Sequence, residues 1–275
     1  MDKTKKSFSR SAKTYNKDIF WHDNSAKKEY DLRGKEVYVI GDIHGCMYTL
    51  KNALKQVGLD LLALPENTIL VSVGDIHDKG EYSVEVLEWA IKKCSEGSLI
   101  VVDSNHGRAL TRKIENPRKR FKESVEYTYS QIRNSGGKPL ASKIAEFLKS
   151  RPVYLDALTD NGRLVVAHAC ALERVIGNKK LSPAEVRYFM LARDAVWRSA
   201  GTCVVGHVRF PEPVISENQN GGRLVRLDTG CAEENGNLTI LHLNSGKLYS
   251  TPVDQRDLTG YSSGSNVDEL DDEEI

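Results

Sequence analysis

A short apolar run, a polar loop and an amphipathic helix follow one another three times in the first half of the chain. The apolar runs are 37–40, 69–73 and 99–102, and apolar residues at helical spacing follow over 46–57 and 83–97. Strand and helix in alternation predict parallel pairing, which brings the loops at the carboxyl ends of the strands to one edge of a sheet. We therefore expect the three polar loops to lie together.

The second half of the chain has a different pattern. Two helices are predicted near 122–132 and 139–151, and another near 183–198. The apolar runs from residue 153 onward are separated by Gly and Asn turns, which favours hairpins and a mixed or antiparallel sheet packed on the first. The predicted fold class is α/β, with a two-sheet β sandwich flanked by helices.

Composition changes at both ends of the chain. Residues 1–34 lack a sustained apolar period and are predicted to form a mobile basic arm, whereas 252–275 are predicted to form an acidic disordered tail. The folded domain is expected over 35–251, with a helical insertion at about 108–151. The whole chain of 275 residues has a net charge of only +1, so bulk charge indicates no partner.

The composition also indicates a compartment. Hydrophobic residues make up 40% and charged residues 28%, and no run approaches the roughly 20 apolar residues of a membrane span. The five cysteines are scattered without a C-x-x-C pair, which argues against a disulfide framework or a thiolate zinc site. We expect a cytoplasmic protein without a membrane partner.

Potential metal ligands occur at five predicted strand ends. They are Asp42, His44, Asp75, Asn105, His168 and His207. Each of these alone has an ordinary alternative as a hydrogen-bonded loop residue. Together they offer oxygen and nitrogen donors without thiolate, which suits Mn²⁺, Fe²⁺, Ni²⁺ or Zn²⁺. A carboxylate that bridges two ions would permit phosphoester hydrolysis.

The order of these motifs resembles that of the calcineurin-like metallophosphoesterases, in particular the bacterial and phage members of the phosphoprotein phosphatase branch. The motifs are GDIHG at 41–45, GDIHDKG at 74–80, SNHG at 104–107, AHA at 167–169, GH at 206–207 and LDTGC at 227–231. The segment around 105–132 is also similar to the phosphatase module of polynucleotide kinase-phosphatases and its free-standing relatives. A kinase P-loop motif is absent from the sequence.

The resemblance implies a role for each motif residue. Asp42 and His44 would hold one divalent ion, Asp75 would bridge, and the second ion would be held by Asn105, His168 and His207. Mn²⁺ is the expected metal, with Ni²⁺, Fe²⁺ or Zn²⁺ as alternatives.

Two further residues would act in catalysis. His106 would be the general acid during in-line attack by a metal-bound hydroxide, and Asp78 would orient it.

Three departures from the family pattern concern phosphate handling. Lys79 stands where the family has Arg, and it is predicted to bind phosphate as a point charge instead of a planar fork. Ser104 replaces a Gly, and Gly107 replaces an acid. Arg108, directly after Gly107, is the second predicted phosphate-binding residue.

Several functions remain open at this point. The first is a serine/threonine-type protein phosphatase acting on phosphorylated proteins and small phosphoesters. The enzyme alternatives are a dinucleoside polyphosphate hydrolase, of the symmetrical type, and a nucleic-acid 3′ or 2′,3′-cyclic phosphatase. The basic segment 108–122 is the only support for a nucleic-acid partner. A non-catalytic phosphate-binding module is the alternative from a different class.

Overall fold

Two six-stranded sheets form the centre of the computed structural model, which describes residues 29–177 and 180–258. The strands are β1 (Glu29–Asp31), β2 (Glu36–Ile40), β3 (Thr68–Ser72), β4 (Leu99–Val101), β5 (Tyr154–Thr159), β6 (Gly162–Ala167), β7 (Thr202–Val205), β8 (Val214–Glu217), β9 (Arg223–Arg226), β10 (Asp228–Thr229), β11 (Asn237–His242) and β12 (Lys247–Pro252). The helices are α1 (Met47–Gln56), α2 (Ser83–Ser95), α3 (Asn105–Glu115), α4 (Glu123–Ser135), α5 (Gly137–Lys149) and α6 (Pro183–Leu191), with 3₁₀ turns at Glu173–Val175 and Gln255–Asp257.

The first sheet contains the three predicted parallel strands. β2, β3 and β4 pair in parallel, so the expected α/β arrangement is confirmed. The final strands return to this sheet, with β11 antiparallel to both β2 and β12. This return differs from the expectation that the second half supplies a separate sheet. β11 can lie inside the sheet because its four central residues are all buried, so it has apolar cover on both faces.

The second sheet has the order β1-β5-β6-β7-β9-β8. β5 and β6 form a predicted hairpin, as do β8 and β9. β6, β7 and β9 pair in parallel, so the sheet is mixed. The carboxyl ends of β6 and β7 therefore lie at the same edge of the sheet.

Three apolar layers hold the sheets and helices together. The inner layer lies between the sheets and includes Val39 and Val71 from the first sheet with Leu155, Val166 and Val204 from the second. A second cluster packs helices α1 to α5 against the first sheet, and a third packs α6 against the second. Because both sheets are covered on both faces, the loops at their edges have a rigid support.

Two helices differ from the sequence prediction. α6 ends at Leu191 instead of near residue 198, and the chain continues as a loop that buries Ala195 and Trp197. The sequence predicted too long a helix because the buried apolar residues of this loop have a spacing similar to that of a helical face. α3 starts at Asn105 because the Ser104 hydroxyl accepts the Gly107 amide at 3.2 Å and caps the helix.

The ends of the folded part also differ from the predicted boundaries. Glu29–Asp31, inside the predicted arm, form a strand paired with β5. At the other end, the 3₁₀ turn at Gln255–Asp257 lies inside the predicted tail, so the folded part continues beyond Pro252. Residues 1–28 and 259–275 lie outside the described residues. Within 29–177 and 180–258, no helix combines the length and apolarity that a membrane crossing requires.

The inner layer predicts a contrast between two leucines of β5. Leu155 is completely buried between the sheets, whereas Leu158 is 54% exposed. We expect Leu155→Ala to lower the free energy of unfolding by about 2–5 kcal/mol, because it removes buried methyl groups and leaves a cavity. Leu158→Ala is the control from the same strand and should change it by less than about 0.5 kcal/mol. Urea unfolding followed by circular dichroism measures both, and equal losses would contradict the assigned layer.

Candidate metal centre

The polar strand ends converge on the carboxylate of Asp75. His44, Asp75 and His106 each offer a ligand atom, and these atoms lie within 4.8 Å of one another. Asp75, His168 and His207 form a second such group. The carboxylate common to both groups is the one that the resemblance implies as the bridge.

Distances from one oxygen of Asp75 define the centre. Its Oδ2 lies 3.8 Å from His44 Nε2, 3.4 Å from His168 Nε2 and 3.9 Å from His106 Nε2. Burial alone would raise the pKa of Asp75, but the nearby His168, His106 and His44 hold it well below its usual range. Asp75 is therefore ionised.

Backbone carbonyls orient two of these histidines. His44 Nδ1 lies 3.1 Å from the His77 carbonyl oxygen, and His168 Nδ1 lies 3.0 Å from the Val73 carbonyl oxygen. A neutral imidazole that donates from Nδ1 has its lone pair on Nε2. Both Nε2 lone pairs therefore face the Asp75 carboxylate, as in histidines whose other nitrogen is fixed for metal binding.

Asn105 adds an oxygen at the same place. Its Oδ1 is 2.6 Å from His168 Nε2. If His168 Nδ1 donates its proton to the Val73 carbonyl oxygen, His168 Nε2 carries a lone pair and cannot donate to Asn105 Oδ1. His168 Nε2, Asn105 Oδ1 and Asp75 Oδ2 are then three neighbouring acceptors. A cation satisfies all three acceptors at once.

Asp42 lies beside the second group of ligands. Its Oδ2 accepts the His207 amide at 3.0 Å, and no described residue donates to the buried Oδ1. Burial raises the pKa of Asp42, with a further contribution from the carboxylates of Asp228 and Asp75. Unpartnered carboxylate oxygens, also found at Asp75 Oδ1, are what divalent cations neutralise, so the residues fit two metal ions.

His106 and Asp78 form the predicted acid and its orienting carboxylate. His106 Nδ1 lies 2.7 Å from Asp78 Oδ2, and both side chains are buried. Burial opposes ionisation of Asp78, but His77 and His106 lower its pKa, so the carboxylate accepts the Nδ1 proton. Burial also opposes protonation of His106, but the carboxylates of Asp75 and Asp78 raise its pKa. His106 is thereby able to carry a proton to the centre.

The loops around the centre have unusual backbone conformations. Positive φ angles occur at His44 (49°), Asp75 (41°), Asp78 (71°), Lys79 (66°) and His207 (65°). Non-glycine residues adopt this region at a cost of about 1–3 kcal/mol each, and they concentrate at functional sites. Packing around the loops must therefore hold these residues in place.

Lys79 is partly exposed near the predicted ligands. Burial is the main cause of the low pKa of His44, and the charge of Lys79 lowers that pKa further. The phosphate-binding role of Lys79 therefore stays a prediction.

Arg193 has no place among the predicted site residues. Burial is the main reason why the pKa of His207 is lowered to about 3, and His168 lowers it further. The positive charge of Arg193, an exposed residue, also lowers this pKa. Arg193 lies in the loop after α6, and nothing in the sequence motifs marks it. Its position depends on where that loop folds back.

Arg108 does not face the open side of the centre. Its side chain is only 1% exposed, and its Nε and Nη2 lie 2.7 and 2.6 Å from Asp103 Oδ2. The prediction that Arg108 binds phosphate is therefore not supported by the structure. The physical reason is that Asp103, at the end of β4, supplies a buried counter-charge that holds the guanidinium inside the protein.

Comparisons with known proteins agree with this geometry. The model of the calcineurin-like phosphoesterase family matches residues 35–174. An asymmetrical bis(5′-nucleosyl)-tetraphosphatase of Anoxybacillus flavithermus is 27% identical over 238 residues, which cover 78% of this chain and 93% of that protein. Its namesake from Bacillus subtilis is 26% identical, over 70% of this chain and 85% of that protein.

Two solved structures share the fold. One is a candidate diadenosine tetraphosphatase, with a TM-score of 0.54 and 21% identity, covering 82% of this chain and 98% of that one. The other is a serine/threonine phosphatase of Saccharomyces cerevisiae, with a TM-score of 0.56 and 12% identity, covering 84% and 85%. At these identities the likeness supports the two-sheet fold only.

A pair of glycines tests the Asp42 environment. A Cβ at Gly206 would overlap Asp42 Oδ1, whereas a Cβ at Gly107 has its nearest neighbour, Ser104 Oγ, at 3.4 Å. We expect Gly206→Ala to lower the bound metal and the phosphoesterase rate by about 10-fold or more, because it displaces a ligand. Gly107→Ala should retain both. Metal content by mass spectrometry gives the result, and full occupancy in Gly206→Ala would remove Asp42 from the ligand set.

Proposed function

Because this chain belongs to the calcineurin-like phosphoesterase family, we propose that it hydrolyses dinucleoside polyphosphates at the Asp75-centred site. The observation that carries the proposal is the match to tetraphosphatases along most of their length, 93% in one case. The prediction of a phosphoester hydrolase is confirmed at the level of the family. The relatives favour the dinucleoside alternative over a protein phosphatase, the first prediction from the sequence. Their names give asymmetrical cleavage, which differs from the symmetrical type expected from the sequence.

The proposal assigns the predicted ligands to two ions. Asp42 and His44 would hold one, Asp75 would be shared, and Asn105, His168 and His207 would hold the other. Two divalent cations supply Lewis acidity, lower the pKa of water and neutralise charge on the phosphate. Mn²⁺ is our proposed metal, since the donor set contains oxygen and imidazole nitrogen without thiolate.

His106 supplies the proton that the leaving phosphate needs. Its Nδ1 is fixed by Asp78 at 2.7 Å, so Nε2 faces the centre, 3.9 Å from Asp75 Oδ2. When water attacks a phosphorus, the Nε2 proton passes to the departing oxygen. The ionised Asp78 stabilises the positive charge on the imidazole before that transfer.

Cations at the open side suit a polyphosphate. The charge of Lys79 lowers the pKa of both Asp42 and His44, and the charge of Arg193 lowers that of His207, so both cations act on the centre electrostatically. A tetraphosphate bridge carries several negative charges that extend beyond the reacting phosphorus. We propose that Lys79 and Arg193 bind these additional phosphates.

The basic segment 108–122 gives little support to a nucleic-acid substrate. Arg108 is buried against Asp103, and Lys113 is buried against Glu126 at 2.7 Å. Its fully exposed cations are Arg118, Lys119 and Arg120, which lie in the loop after α3. The segment therefore lacks the continuous basic face that phosphate-backbone binding uses.

Substrate preference is tested by comparing two reactions. We expect Mn²⁺-loaded protein to cleave diadenosine tetraphosphate at least about 100-fold more efficiently than a phosphoserine peptide, if Lys79 and Arg193 each contribute a charge-assisted contact of about 1.5–3 kcal/mol. Chromatography identifies the products: asymmetrical cleavage gives ATP and AMP, whereas symmetrical cleavage gives two molecules of ADP. We propose the asymmetrical outcome, as in the names of the relatives.

Two results would overturn this preference. Faster turnover of the phosphopeptide would restore the protein phosphatase. Turnover of a 3′-phosphorylated oligonucleotide above both would indicate a nucleic-acid substrate in spite of the buried basic residues.

Two variants separate chemistry from metal binding. We expect His106→Ala to keep both metals but to lower kcat by about 10²–10⁴-fold, because it removes the general acid. Asp75→Asn should instead lose metal, because it removes the shared carboxylate. Elemental analysis measures the metal content, and turnover of phenyl phosphate, whose phenolate leaves poorly without a proton, measures the loss of the acid. Unchanged kcat in His106→Ala, or full occupancy in Asp75→Asn, would contradict the roles.

A further inference from the structure

The C-terminal segment 253–258 packs against the start of α1, directly after a loop of the metal centre. His44 is followed by Gly45 and Cys46, and α1 begins at Met47. The N-terminal turn of this helix therefore fixes the end of the loop that presents His44. The C-terminal segment is about 200 residues away in sequence.

The start of α1 has no cap of its own. The Cys46 side chain makes no capping hydrogen bond, and the first turn of α1 contains no acidic residue. The first amide groups of a helix lack partners inside the helix, so others must accept their hydrogen bonds. A cap supplied from elsewhere in the fold is therefore required.

Asp257 provides this cap. Its Oδ1 accepts the Tyr48 amide at 3.0 Å, and its Oδ2 accepts the Thr49 amide and the Thr49 hydroxyl, each at 2.6 Å. The side chain is completely buried. Its negative charge also lies at the positive end of the helix dipole, which stabilises the turn further.

The backbone of Asp257 also contacts the second loop of the centre. The Glu81 amide donates to the Asp257 carbonyl oxygen at 2.9 Å. The amides on either side of it donate to the loop of His44: Gly80 to the His44 carbonyl oxygen at 2.8 Å, and Tyr82 to the Gly45 carbonyl oxygen at 3.0 Å. Asp257 therefore lies where the loop of His44 meets the loop of Asp78 and Lys79.

Neighbouring contacts hold Asp257 in this position. The Asp254 amide donates to Thr49 Oγ1 at 2.9 Å, and the Arg256 guanidinium lies 3.8 Å from the centre of the Tyr48 ring. The segment is therefore fixed directly before Asp257. Such support is what two loops with strained backbones need.

We propose that Asp257 is a positioning residue of the metal centre, which holds the His44 loop through α1 and the Asp78–Lys79 loop through its carbonyl oxygen. The inference rests on the proposed metal-dependent function but does not depend on which phosphoester is the substrate. Partners of this kind typically change metal affinity or activity by about 10–100-fold.

The test compares Mn²⁺ affinity by isothermal titration of metal-free protein. We expect Asp257→Ala to weaken Mn²⁺ binding by about 10-fold, with a fall in kcat on p-nitrophenyl phosphate. Asp257→Asn keeps the shape of the side chain and one acceptor oxygen. This variant should therefore fold, and its Mn²⁺ affinity should fall by less than that of Asp257→Ala. If Asp257→Ala does not fold, Asp257→Asn decides the outcome.

Two control variants break other contacts of α1 with the chain between Thr251 and Asp254. Asn52→Ala removes the exposed bond to Asp254, and Thr251→Val removes the bond to Gln56 at the other end of α1. Both should keep the wild-type Mn²⁺ affinity. Wild-type affinity in folded Asp257→Asn and Asp257→Ala, or an equal loss in the controls, would overturn the proposal. Failure of the wild type to hydrolyse any phosphoester would refute the proposed function and leave this affinity comparison intact.

Discussion

The buried carboxylate of Asp75 is the constraint on which the structure of the centre depends. Removing a carboxylate from water costs on the order of several kcal/mol unless positive charge or hydrogen bonds compensate. Here the Nε2 lone pairs of His44 and His168 face Asp75, and Asp42 and Asp228 add further buried acids. Such a set of acceptors is unfavourable by itself and favourable around divalent cations, so it accounts for both the family's chemistry and its need for metal.

The backbone of the loops is the second part of this arrangement. His44, Asp75, Asp78, Lys79 and His207 all have positive φ angles, although none is glycine. The free energy that this conformation costs must come from the surroundings. The two covered sheets supply a rigid edge, and hydrogen bonds between the loops supply the rest.

The positively charged residues near the centre have two different roles. Arg108 is bound to Asp103 inside the protein, whereas Lys79 and Arg193 lie at the accessible side. The division follows from burial, since a buried guanidinium needs a fixed carboxylate and an exposed cation can pair with an incoming phosphate. The proposed polyphosphate substrate would use these accessible charges.

The sequence by itself determined the α/β class, the parallel strands and the residues around Asp75. These follow from local periodicity and from motifs at strand ends, and parallel strands necessarily bring such ends to one edge. Even the start of α3 could have been predicted, since Ser104 is a favoured capping residue.

Only the tertiary structure decided the contacts between distant segments. Whether Arg108 points outward depends on Asp103, and whether α6 ends at Leu191 depends on the burial of the following loop. The charge of Arg193 acts on His207 because of the course of that same loop. Asp257 contacts Thr49 across 208 positions, in a region that composition assigned to a tail. The physical reason is that periodicity records which residues prefer burial, whereas the partner of each buried polar group is fixed only when the elements pack.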